Sequence, residues 1–76
     1  MDDTQKAEHA QRLLSDGLFN EAINVVKGYH TATFCRIDAT EHEVMEARRM
    51  VLALEAVTKQ LETYVLTGEM KKRTAP

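Results

Sequence analysis

The residues with the most chemical potential are three histidines, one cysteine, a short acidic run and two basic clusters. His9, His30 and His42 could ligate a metal or move protons. They fall on three separate predicted segments, and none has a second ligand four residues on. His30 near an apolar helix face reads more simply as a packed or capping side chain, and His42, between Glu41 and Glu43, as a surface group at a helix start. Cys35 precedes Arg36, and a neighbouring cation can lower a thiol pKa. A cysteine nucleophile also needs a base and an oxyanion site. No glycine-rich elbow is available, so a small, half-buried apolar residue is the better reading. Glu41, Glu43 and Glu46 could act as paired carboxylates, but Glu43 has a capping role and Glu46 lies three residues before Arg49. No pair of titratable groups can be assembled into a catalytic site, so neither an enzyme nor a cofactor is expected.

Arg48-Arg49 and Lys71-Lys72-Arg73 are the basic features. The second could meet nucleic acid, a membrane surface or an acidic partner, or simply extend a positively charged helix end. The first two predicted helices could mimic a helix-turn-helix. The exposed face of the second, however, offers Asn20, Glu21, Asn24 and Lys27, a single base where a DNA reader carries several. Nucleic acid is therefore not the expected partner.

Three helices must position these groups. The first runs from about Asp3 or Thr4 to Ser15, with Asp2, Asp3 or Thr4 as N-cap and Ala7, Ala10, Leu13 and Leu14 as its apolar face. Gly17 is expected at its C-terminus in the left-handed conformation. The second runs from near Leu18 to about Cys35. Phe19, Ala22, Ile23, Val26, His30, Thr33, Phe34 and Ile37 recur along it at helical spacing, and Leu18 and Val25 widen the stripe. Gly28 either weakens this helix or admits a closely crossing neighbour.

The third helix, about 41–67, has the plainest signature. Thr40 and Glu43 form a capping box, and Gly68 follows as a C-cap. Val44, Ala47, Val51, Leu54, Thr58, Leu61 and Val65 alternate three and four apart, a coiled-coil-like seam with Leu54 at its centre as a core position. Met50, Val57 and Tyr64 form a second row beside it.

The expected fold is all-α. An antiparallel helical hairpin, the short Arg36–Ala39 connection between its long helices, carries a short N-terminal helix folded across one end. Residues 1–68 make one domain and 69–76 a basic, mobile tail. The 76 residues hold one cysteine, three glycines and one proline, so no disulfide can staple the chain. A domain this small struggles to close a core, and self-association is the expected remedy. Met50, Val57, Leu61, Tyr64 and Val65 are the expected interface, with Lys71, Lys72 and Arg73 as candidate electrostatic contacts.

The net charge is -2. Residues 1–46 carry four bases against nine acids, and residues 47–76 six against three, an asymmetry suited to antiparallel self-pairing. The polar, acidic start lacks the features of a secretory signal, and no apolar run reaches the ~18 residues of a membrane span. With a lone cysteine, this points to a reducing cytoplasm.

With the opening Leu13-Leu14-Ser15-Asp16-Gly17-Leu18-Phe19, the loop Asp38-Ala39-Thr40-Glu41 and the closing segment from Glu46 to Met70, the stretch Leu13–Gly68 resembles a class of small phage-encoded helical proteins. The class is encoded among head and packaging genes. That implies a non-enzymatic role in virion assembly or structure, with the protein in the host cytoplasm or built into the particle. The alternative is a small phage inhibitor or adaptor that binds a host defence or transcription complex.

Overall fold

The computed structural model describes residues 1–74, and they form three helices and no strand: α1 (Asp3–Ser15), α2 (Gly17–Phe34) and α3 (Glu41–Thr74). α1 starts at Asp2. The Gln5 N–H donates to Asp2 Oδ1 at 2.8 Å, and the Asp2 N–H donates to Gln5 Oε1 at 3.1 Å. These reciprocal bonds satisfy two amides that the first turn leaves free.

One residue, Asp16, joins α1 to α2. Its N–H donates to the Leu13 carbonyl at 3.1 Å, closing α1, while its Oδ1 accepts from the Phe19 N–H at 2.8 Å, opening α2. Asn20 Nδ2 reaches back to the Leu14 carbonyl at 2.9 Å and ties the second helix to the first. The expected left-handed Gly17 is not found: Gly17 is the first residue of α2, and no glycine has a positive φ. Asp16, with φ -78° and ψ 120°, makes the break in extended backbone that any residue can adopt. Asp16→Ala should therefore lower stability by about 1 kcal/mol, as loss of an N-cap usually does. Thermal melts of the two proteins check this, and an unchanged midpoint would show that the cap contributes nothing.

α3 is anchored at its start as the capping box requires. The Glu43 N–H donates to Thr40 Oγ1 at 3.1 Å, and the Thr40 N–H donates to Glu43 Oε1 at 3.2 Å. Its other end departs from expectation, because α3 runs through Gly68 to Thr74. The 69–76 segment is helical as far as Thr74, and its last two residues, Ala75 and Pro76, lie outside the described residues. Lys71, Lys72 and Arg73 occupy the last turn, where cations complement the helix dipole.

α3 packs on both other helices. Near its start Glu43 meets Arg36 at 2.9 Å, at mid-length Glu55 meets Lys27 at 3.8 Å, and near its end Lys71 meets Asp3 at 3.8 Å. Successively later residues of α3 thus meet successively earlier residues of α2 and then α1. α1 does not fold across an end of the layer but lies along the last third of α3. Gly68 is the reason the two come so close. It is buried against Ala7, and a Cβ at Gly68 would collide with the Ala7 Cβ and stand 3.2 Å from the Asp3 carbonyl oxygen. Gly28 has no such neighbour, so a crossing helix is not the reason for that glycine.

Candidate functional site

The seam places its residues as the spacing predicts. Ala47 is buried, and Val44, Val51, Leu54, Thr58, Leu61 and Val65 are all half-buried. Ala10 and Ala47 are the buried apolar side chains, and no large side chain among the described residues is fully enclosed. Leu54, expected in a core, reaches only partial cover. The molecule is a rod of 59 × 22 × 17 Å with a radius of gyration of 16.6 Å, where a compact chain of this length would have about 11 Å. It exposes 5927 Å², against about 4,700 Å² for a compact monomer of this mass. The described residues form one layer of paired helices, without the second layer that normally completes a core.

Of the five residues expected at an interface, Met50 (45% exposed) and Val57 (51%) face solvent. Tyr64 is half-covered, with Lys6 Nζ 5.8 Å from its ring centroid, a cation–π distance. Leu61 and Val65 are half-buried in the seam, and Val65 lines a groove with Ala7 and Gly68 of the α1/α3 contact. Of the basic cluster, Lys71 pairs with Asp3, Lys72 rims the same groove, and Arg73 is exposed. The acidic beginning of the chain therefore lies beside its basic end within one molecule.

The sequence reading missed a row on α2. Leu18, Val25 and Tyr29 are exposed at 74%, 51% and 72%. The signal is present in their spacing, since residues 18, 22, 25 and 29 repeat at four, three and four, but the sequence pattern assigns Leu18 and Val25 to a widening of the buried stripe and does not single out Tyr29.

Two grooves carry polar groups. The first, about 420 Å³, is lined by Ala7, Val65 and Gly68 and rimmed by Glu8, Arg12, Glu69 and Lys72. The second, about 270 Å³, brings His30 and His42 together with Glu43, Glu46 and Met50 near the α2–α3 turn. No group of three or more His, Cys, Asp or Glu side chains among the described residues is arranged to hold a metal. His9 lies elsewhere, accepting at Nδ1 from Arg12 Nη2 at 2.8 Å. Cys35 is exposed at the end of α2.

Glu43 is the most constrained charge in the second groove. The Thr40 N–H is the first reason its carboxyl is held below the usual carboxylate range, followed by the Thr40 hydroxyl and Arg36. Arg36 is pushed further up by hydrogen bonds to Glu43 and Asp38. Glu46 pairs with Arg49. A carboxyl whose folded pKa is depressed stabilises the fold above its unfolded value, near pH 4.3, and loses that contribution as pH falls through the folded value. Glu43→Gln should accordingly flatten the loss of thermal stability below about pH 4.3. Melting midpoints of both proteins between neutral and acidic pH check this, and parallel curves would remove Glu43 from the acid response.

Comparison of the chain with known protein families, with curated proteins and with solved structures finds no match. No helix among the described residues is long and apolar enough to cross a membrane.

Proposed function

We propose that the chain is a non-enzymatic helical protein that acts by docking an apolar helix face onto other protein surfaces, in the assembly or structure of a phage particle. The observation that carries the docking role is the open layer: no large side chain among the described residues is fully buried, while Leu18, Val25, Tyr29, Met50 and Val57 all face solvent. Two buried alanines and a half-buried seam offset less of the conformational entropy of folding than a closed core would. Further apolar surface has to come from a neighbour. The nested ion pairs Arg36–Glu43, Lys27–Glu55 and Asp3–Lys71 support an antiparallel hairpin as the unit that docks. The phage setting, and with it the host cytoplasm, rests on the resemblance of Leu13–Gly68.

Mass spectrometry of purified particles and of their assembly intermediates tests the setting. The chain should be present in one or the other at fixed stoichiometry. Its absence from both, with recovery of one host complex at fixed stoichiometry instead, would replace the virion role by that of an inhibitor or adaptor.

A further inference from the structure

The α2/α3 layer has two unlike faces. The Lys27–Glu55 ion pair, at 3.8 Å, marks one of them. Counting 100° per residue, Leu18, Val25 and Tyr29 stand on the side of α2 away from Lys27. On α3, Met50 and Val57 stand across the seam from Glu55 by the same count. Near the α2–α3 turn, Thr33 and Met50 line one groove. Leu18, Val25, Tyr29, Met50 and Val57 therefore line the side of the rod away from the Lys27–Glu55 pair, with Glu46 and its partner Arg49 beside them. At ~150–250 Å² for a large side chain, their exposed fractions amount to roughly 500 Å². That is most of the ~800 Å² each partner contributes to a stable interface.

The α3 row on this face continues beyond its apolar part. Glu43, Met50, Val57, Tyr64 and Lys71 follow one another at seven-residue intervals: acid, three apolar or aromatic residues, base. Such a row complements itself only when reversed. A two-fold axis at its midpoint, Val57, sets Glu43 opposite the partner's Lys71 and Met50 opposite the partner's Tyr64. A parallel arrangement in the same register would set acid on acid and base on base. Exposed pairs of this kind add little affinity but choose the orientation. Both charges retain their internal partners, Arg36 and Asp3, so each cross-pair extends an existing small network.

We infer that a second copy of the chain covers this face, its long helix lying on the first copy's α3 and running opposite to it, with the two-fold axis near Val57. This rests on the association reading above and names the occupant. The result is a four-helix rod in which every neighbouring pair of long helices is antiparallel.

Sedimentation equilibrium of the full chain at micromolar concentration should give twice the 8.6 kDa chain mass. Val57→Glu should lower that to the mass of one chain. Circular dichroism of the same samples shows whether the variant keeps its helices. Cross-linking fixes the orientation whatever the variant's stability. In a Cys35→Ser background, Val57→Cys should be joined efficiently by a short bis-maleimide. Met50→Cys should not, because its two copies would stand about 21 Å apart along the rod. Cross-linking of both cysteine variants would overturn the antiparallel orientation. A dimer that neither Val57 change affects would overturn the choice of face. A monomer that unfolds cooperatively at all concentrations would overturn self-pairing while leaving a different protein as the docking partner.

Discussion

Alanine at Gly68 should destabilise the protein, and alanine at Gly28 should stabilise it. Both glycines lie inside helices, where glycine costs about 1 kcal/mol relative to alanine. At Gly28 nothing lies within 4 Å of an added Cβ, so only the propensity gain remains. The melting midpoint of Gly28→Ala should rise by about 4–8 °C, the usual conversion of 1 kcal/mol for a domain this small. At Gly68 the added carbon would meet the Ala7 Cβ and, 3.2 Å away, the Asp3 carbonyl oxygen. Neither obstacle is the far end of a flexible side chain, so α1 itself must shift. Overpacking of this kind costs about 1–3 kcal/mol, enough to outweigh the propensity gain. Gly68→Val should be worse, since β-branching adds bulk and removes the propensity benefit. Thermal melts of the three variants are the measurement. A rise for Gly68→Ala equal to that for Gly28→Ala would mean that the α1–α3 contact is looser than described.

Leu54→Ala should be the most damaging truncation along the seam. Leu54 lies midway along the rod, half-buried, with Val51 and Leu61 on the same stripe. A fully buried leucine loses about 2–5 kcal/mol on truncation to alanine. Half-burial reduces this to roughly 1–3 kcal/mol, still a large part of the ~5 kcal/mol available to so small a domain. The control is Leu52→Ala, two residues away and 49% exposed, which should change stability by no more than ~0.5 kcal/mol. Chemical denaturation of both variants decides the matter. Equal effects would show that the seam has been rotated relative to its neighbours.

The seam and the start of α3 were legible because each has a signature that few alternatives share. The three-four spacing from Val44 to Val65 fixes one helical face, and Thr40 with Glu43 fixes the register of the first turn. Gly68 misled for a local reason. A glycine after an apolar helix and before a basic segment has the same appearance as a C-cap. Yet it also occupies the next seam position, three residues beyond Val65, and that spacing outweighed the cap signal. The tail follows from it: once α1 packs through Ala7 and pairs Asp3 with Lys71, the last turns of α3 have a neighbour to lie against. The break at Asp16 was placed correctly but given the wrong agent, because an aspartate that caps one helix and closes another needs no left-handed glycine. The apolar row of α2 was harder. Leu18, Val25 and Tyr29 share the periodicity of the stripe beside them, and periodicity alone does not say which flank a single neighbouring helix covers.

The single-residue joint at Asp16 and the far-apart partners of α1 together dictate an order of events in folding. Arg36 and Glu43, seven residues apart, close the α2–α3 turn over a very short span of chain. Ala7 and Gly68 can meet only after about 60 intervening residues have been gathered, an additional entropic cost of about 2 kcal/mol. α2 and α3 should therefore zip first from their shared turn, and α1 should swing in last, as a latch. Amide protons of α1 and of the final turns of α3, held together through Ala7, Gly68 and the Asp3–Lys71 pair, should exchange as one unit, distinct from those of the α2–α3 turn.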